Sequence, residues 1–231
     1  MKKILIIDNT FDPPSGCPEI QDLVRQAAAA LGSVVVSSVR APDEKIPAEL
    51  RPFDGVILSG SKTRIEETAP WIEKEIEAIR RLHALKIPTL GICYGEQLIA
   101  RSFGGEAGTA ERYEFGWVEI EAAHSPLFEG LPPRFHSFAY HNDEVRTLPA
   151  NFILTASSKD CRVQAYDVND APMWGVQFHP ERGVRQGESS VEKFKDGSKR
   201  VTNADRGAEL FDPKVGEIIF RNFLRRVWDQ R

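Results

Sequence analysis

Apolar and polar positions along this chain follow two rhythms, and the change between them divides it. Up to about residue 105, short unbroken apolar runs alternate with stretches of helical period. Ile4-Leu5-Ile6-Ile7, closed by Asp8, is the first such run, the form of a strand covered on both faces of a parallel sheet. Residues 9–18, rich in Pro, Gly, Asp and Ser, predict a loop. Residues 19–31 predict a helix stopped by Gly32, and the β-branched run from Ser33 to Val39 a second strand. Residues 54–59 form another short buried strand. From 71 to 85, Ile72, Ile76, Ile79 and Leu82 share one helical face while Glu73, Lys74, Glu77 and Arg80 lie opposite. Residues 87–93 then predict a strand, and 94–103 a helix ending at Gly104-Gly105.

Beyond that point helix gives way to strand. Segments 115–121, 134–140, 151–157, 161–167 and 172–178 are short, strand-like and separated by turns. Residues 213–228 close the pattern as an amphipathic helix with Ile218, Ile219, Phe220, Phe223 and Leu224 on its apolar side. The expected fold is therefore α/β: a mostly parallel sheet flanked by helices in three layers, with an antiparallel extension in the second half. No repeat and no linker interrupts it, so residues 1–231 read as one domain. Residues 182–212 stand apart, polar and charged, with Val184, Val191, Phe194, Val201, Leu210 and Phe211 as sparse apolar anchors. Such a stretch is long for a loop. It reads as a solvated insertion or, since it starts at the rim of a site, as a lid or docking surface.

Composition narrows the class. The 231 residues carry 30 Lys+Arg against 34 Asp+Glu, and 41% are hydrophobic, which excludes wholesale disorder, collagen and coiled coil. A net charge of -4 gives no footprint for nucleic acid or an anionic membrane. The basic start Met1-Lys2-Lys3 is followed by an apolar run too short for an export signal, and no run approaches the ~18 residues of a membrane span. Three cysteines make no disulfide framework, so a reducing, cytoplasmic setting is expected.

The chemistry concentrates at Gly91-Ile92-Cys93-Tyr94-Gly95-Glu96-Gln97, a strand-to-helix junction. A nucleophile on a sharp turn needs small neighbours, and Gly91 and Gly95 supply them as in the G-x-S-x-G elbow of serine hydrolases. Facing a helix amino end, Cys93 is expected to lean towards thiolate, and the N–H of Tyr94 to face a developing oxyanion. Flanking glycines alone do not separate this from a small buried hydrophobe. A base is needed, and His179 ends the run Trp174–Phe178 on the same side of the sheet. Glu181, two residues on, points the same way in an extended segment and can hold the imidazole tautomer. His83, His124 and His136 have no such setting. His141, Asp143 and Glu144 read as a polar loop near the site mouth, and no zinc-ligand spacing is present.

These two motifs together resemble the class I (triad-type) glutamine amidotransferases, most strongly the amidotransferase domain of GMP synthase and its stand-alone relatives. Gly175-Val176-Gln177-Phe178-His179-Pro180-Glu181, Asp54–Gly60, Glu114-Phe115-Gly116, Ser125–Pro132, His141–Val145 and Ala156-Ser157-Ser158 fit in order, as does Ile218–Leu224. The resemblance implies that Cys93 attacks the side-chain amide of glutamine, that His179 protonates departing ammonia, and that water resolves a thioester. It further implies oxyanion donors at Tyr94 and in the loop Gly60-Ser61. Gln97 and the backbone of Phe115-Gly116 would hold the amino-acid end. No cofactor and no metal are implied. Ser59-Gly60-Ser61-Lys62 departs from the Ser-Gly-Gly-Pro of GMP synthase, which puts the loop's resting orientation in question. No nucleotide-binding motif follows Glu181, so ammonia would pass to a separate synthetase subunit. The same triad would serve a stand-alone γ-glutamyl peptidase or hydrolase. A catalytically silent regulatory subunit fits poorly with a complete triad.

Overall fold

The computed structural model describes residues 1–12, 15–194, 201–203 and 206–230. In chain order its strands are β1 (Lys2–Asp8), β2 (Val34–Arg40), β3 (Gly55–Leu58), β4 (Thr89–Ile92), β5 (Glu106–Ala122), β6 (Arg134–Thr147), β7 (Phe152–Ser157), β8 (Ala165–Val168) and β9 (Met173–Val176). The helices are α1 (Pro18–Ala28), α2 (Pro70–Leu85), α3 (Tyr94–Ser102), α4 (Val184–Glu192), α5 (Gly207–Leu210) and α6 (Pro213–Asp229). All nine strands join one sheet in the order β2-β1-β3-β4-β9-β8-β7-β5-β6. The first five in that order are mutually parallel, and every pairing from β9 onward is antiparallel. Among the described residues no helix is long and apolar enough to cross a membrane.

The apolar run of β1 explains the three layers. Ile4 and Ile6 point into a core shared with α1 and α6, whereas Leu5 and Ile7 point into a second core under α2 and α3. All four side chains are fully buried, each stabilising the sheet by about 1.5–3 kcal/mol. Alternation along an extended strand makes this division, so a charge at Ile6 would disrupt only the α1–α6 side. The helix stops are local: Lys86 ends α2 in the left-handed region at φ 55°. α6 starts at Pro213, with Asp212 accepting a bond from the Lys214 N–H at 2.9 Å.

Several expected boundaries move. The helix expected over 19–31 ends at Ala28, and the strand expected over 161–167 begins only at Ala165. β5 and β6 extend well past the expected 115–121 and 134–140, because the polar residues 106–114 pair antiparallel with 141–147. The described part of residues 182–212 is not a solvated insertion. It supplies α4 and α5, and Val191, Phe194, Val201, Leu210 and Phe211 pack on a third cluster of Phe115, Trp117 and Phe138. Thr202 pairs with Gly116 in an isolated parallel bridge. The part of this segment at 195–200 and 204–205 lies outside the described residues.

Candidate active site

Strand β4 ends in a backbone that only small neighbours permit. Cys93 sits at φ 53°, ψ −107° between β4 and α3, a conformation costing of order 1–3 kcal/mol in an L residue. A Cβ at Gly91 would come 2.6 Å from the Gly95 carbonyl oxygen, and one at Gly95 2.5 Å from that of Leu58. Both obstacles are backbone, so neither glycine can be replaced without moving the turn. Bonds from Cys93 N–H to Val176 O (2.8 Å) and from Gln97 N–H to Cys93 O (3.0 Å) fix the elbow to β9 and to its own helix.

His179 lies just beyond β9. Its N–H donates to Phe138 O at 2.8 Å, and its ring Nδ1 lies 2.6 Å from Glu181 Oε1. With Nδ1–H given to the carboxylate, Nε2 is left to accept or deliver a proton. Gly60 brings the two halves together: a Cβ there would stand 3.0 Å from His179 Cε1 and 3.4 Å from Cys93 Cβ. Elements far apart in sequence thus gather Cys93, His179, Glu181 and Gly60 at one end of the parallel strands, where α/β sheets build sites. The Gly60-Ser61 loop is anchored below, where Asn9 N–H donates to Ser59 Oγ (2.9 Å) and Ser59 Oγ–H to Gly60 O (3.0 Å).

Electrostatics revise one expectation. Burial first, and then the charges of Glu181 and Glu96, push the Cys93 thiol up to about 12 against the opposing pull of the Tyr94 N–H and Arg182. The resting group is a thiol rather than the thiolate expected from the helix amino end, since desolvation outweighs the dipole. Burial also works to raise Glu181, but the charge and hydrogen bond of His179 outweigh it and hold its carboxyl below the usual value. Cys17 faces the same cavity, and burial likewise holds it as a thiol.

A cavity of about 640 Å³ opens over these groups, lined among others by Ser61, Gln97, Tyr140 to Asp143, Arg64 and Arg182. Gln97 is buried, its Nε2 donating to Asp143 O and Gln177 Oε1, each at 2.8 Å, so its amide nitrogen ties β6 to the residue that follows β9. Phe115 and Gly116 do not line this cavity. Their backbone is taken by Thr202, whose N–H donates to Phe115 O at 2.7 Å and whose O accepts from Trp117 N–H at 3.0 Å. Tyr140–Asp143 line the cavity instead, and the Asp143 carboxylate binds Arg64 at 2.6 Å. His141 and Asp143 are thus not a loop but the interior of β6, buried. A period-2 reading carried past residue 140 would have found them.

The sequence gives no sign of a second Cys/His/Glu group. Among the described residues, Glu114, His141 and Cys161, all buried, bring one ligand atom each within 4.8 Å of the others, close enough to share a metal ion. Hydrogen bonding already engages them. His141 joins Glu114 Oε2 (3.1 Å) and Asp143 O (3.1 Å), and Glu114 also accepts from Ser158 and Gln164. Burial, first, and the charge of Glu114 hold the Cys161 thiol well above its usual value, a setting for an inert cysteine.

Comparison with known proteins agrees with this architecture. A family model described as Glutamine amidotransferase class-I matches residues 19–195. A glutamine-hydrolyzing GMP synthase subunit of Methanothermobacter thermautotrophicus is 39% identical over 158 residues, 66% of this chain and 85% of that protein. The corresponding GMP synthase subunit of Sulfolobus acidocaldarius is 36% identical over 156 residues, 67% of this chain and 80% of the relative. A Thermoplasma acidophilum structure described as a GMP synthase subunit superposes with a TM-score of 0.71 at 29% identity, covering 98% of this chain and 94% of its own. A glutamine amidotransferase from Thermotoga maritima, 23% identical, shares the fold at a TM-score of 0.78 over 99% of both chains.

Proposed function

We propose, from the premise that this chain belongs to the class I glutamine amidotransferases, that it hydrolyses the glutamine side-chain amide through a thioester on Cys93. The observation carrying the reading is the bond between His179 Nδ1 and Glu181 Oε1, beside a cysteine on a strained elbow. Because burial keeps Cys93 protonated, the base has to act in the attack itself. His179 Nε2 takes the thiol proton as Sγ bonds to the amide carbon, and the imidazolium so formed is stabilised by Glu181. The tetrahedral oxyanion meets the Tyr94 N–H and the Gly60-Ser61 loop. His179 returns the proton to the leaving nitrogen, ammonia departs, and a γ-glutamyl thioester remains. Water then loses a proton to His179 as its oxygen bonds to the thioester carbon. The thiolate leaves, regains the proton, and glutamate is freed.

The relatives named as GMP synthase subunits support a further step, in which ammonia passes to a separate synthetase subunit. Residues 1–231 act here as one amidotransferase domain, in a cytoplasmic setting, with no cofactor. Release of glutamate and ammonia from glutamine by the purified chain, abolished in a folded Cys93→Ser variant, is the test. Retained turnover in that variant would remove Cys93 from the mechanism.

A further inference from the structure

Glu114 and His141 stand opposite each other across β5 and β6, and the turn between β7 and β8 brings Cys161 beside them. That turn is closed on itself: Ser158 N–H donates to Cys161 O at 2.8 Å, and Cys161 N–H to Ser158 Oγ at 3.0 Å. A carboxylate oxygen, an imidazole nitrogen and a sulfur thus lie within 4.8 Å of one another. None of the three residues is more than 4% exposed, so water cannot freely fill the space between them.

The hydrogen bonds define what that space needs. Asp143 O, 3.1 Å from His141 Nδ1, can only accept, so Nδ1 carries a proton and donates it. Nε2 then holds the lone pair, and it lies 3.1 Å from Glu114 Oε2, which also only accepts when ionised. Two lone pairs meet there unless a proton or a cation stands between them. Ser158 and Gln164 donate to the two oxygens of Glu114 and hold that carboxylate in place. An imidazole oriented by a backbone carbonyl and a carboxylate oriented by hydrogen bonds are the outer contacts that metal ligands make.

Charge favours the cation over the proton. Glu96 and Glu144 are buried as well, and their charges act on Cys161 together with that of Glu114. Both oxygens of Glu96 and Oε2 of Glu144 have no hydrogen-bond partner, and neither has Oε1 of Gln164, whose amide nitrogen reaches Glu114. Among the described residues, His141 is the one basic group in ion-pair contact with any of these three carboxylates. Buried acceptors left without partners call for an ion or a water, and one proton on His141 offsets a single charge where a divalent cation offsets two.

We infer that Glu114, His141 and Cys161 bind a zinc ion that serves the fold and takes no part in the hydrolysis. Thiolate, imidazole and carboxylate together are a zinc donor set. Cys161 loses its S–H proton to solvent as sulfur bonds to the metal, while Glu114 and His141 bind through Oε2 and Nε2. The ion ties β5, β6 and the β7–β8 turn together, and His141 belongs to the segment Tyr140–Asp143 that lines the cavity over Cys93. This inference is separate from the Cys93 reading, and either can fail without the other.

The test starts from protein purified out of zinc-supplemented medium and dialysed against metal-free buffer, which is expected to keep about one zinc per chain in elemental mass spectrometry. After removal of the zinc with a strong chelator and reloading with cobalt(II), a thiolate-to-cobalt charge-transfer band is expected. That band should vanish in Cys161→Ser and persist in Cys93→Ser and Cys17→Ser, and Gln164→Ala should weaken zinc binding about 10–100-fold. No retained zinc and no cobalt band in the native protein would overturn the inference and leave a proton between His141 and Glu114. A band lost in Cys93→Ser but kept in Cys161→Ser would overturn it too, by placing the metal on the reacting thiol. Should Cys161→Ser fail to fold, anomalous diffraction from native crystals at the zinc edge decides alone. A peak bounded by Glu114, His141 and Cys161 supports the site; a peak elsewhere, or none, removes it.

Discussion

His179 Nδ1 and Glu181 Oε1 stand 2.6 Å apart, a charge-assisted contact between two residues separated in the chain only by Pro180. Because the pair is close in sequence as well as in space, its geometry depends on the short segment after β9 and little on the rest of the fold. Its properties can therefore be changed without dismantling the sheet.

Glu181→Gln keeps a hydrogen-bond acceptor but loses the charge that stabilises an imidazolium. Turnover is expected to fall about 10–100-fold, less than the complete loss in Cys93→Ser. A pH series separates this from a packing defect. The folded-state pKa of Glu181 lies below its ordinary value of 4.5, so its contribution is present above 4.5 and disappears as pH falls through the lower folded value. Urea melts should show native protein more stable than Glu181→Gln by about 1–3 kcal/mol at neutral pH, with the gap closing on acidification. A gap independent of pH would mean that the carboxylate is not ion-paired.

Gly60→Ala places a methyl 3.0 Å from His179 Cε1. The ring must shift by a few tenths of an ångström, enough to misalign a proton transfer. A loss in kcat of about tenfold or more is expected with little change in melting temperature. Full activity in a variant whose crystal structure shows the methyl in place would contradict the arrangement.

Glu75 is on the buried face of α2, and burial lifts its pKa to about 8 against a lowering bond from Asn9. Asn9 Nδ2–H donates to Glu75 Oε1 and to Ser59 O, both at 3.1 Å, so this carboxyl supports the base of the Gly60-Ser61 loop. With the folded pKa raised, its contribution is full below 4.5 and is lost as pH rises through about 8. Glu75→Gln should gain on the native protein by ~2–4 kcal/mol between pH 5 and pH 9 in denaturant melts. A constant difference over that range would show that Glu75 does not hold its proton.

Gly116 has φ +117°, and a side chain there would collide with the Thr202 backbone. Gly116→Ala should therefore expel residues 201–203 from β5 and speed hydrogen exchange at the Trp117 amide, whose acceptor is Thr202 O. Exchange rates unchanged from the native protein would show that this bridge does not persist in solution.

What the sequence shows, and what it hides, follows from how local each signal is. The Ile4–Ile7 run, the α2 stripe and the glycines flanking Cys93 are contiguous, and their strands, helix and elbow form as expected. The packing of residues 182–212 is hidden because Val191, Phe194, Val201, Leu210 and Phe211 follow no single period. Their partners Phe115, Trp117 and Phe138 lie on two other strands. Glu114, His141 and Cys161 come from β5, β6 and the turn before β8, and only the sheet order brings them together. The contact of Phe115 and Gly116 with Thr202 is hidden for the related reason that the partner lies more than eighty residues away.

Cys93 and Cys161 each lie near acidic residues and each is buried, yet of the two it is Cys93 that shares Gly60 as a neighbour with His179. The most direct test is to mix the protein with glutamine, quench in acid within the turnover time, and locate any γ-glutamyl adduct by peptide mass spectrometry. An adduct on the peptide carrying Cys93, retained in Cys161→Ser and Cys17→Ser and absent in Cys93→Ser, is the predicted result. Steady turnover with the adduct on Cys161, or on no cysteine at all, would contradict it.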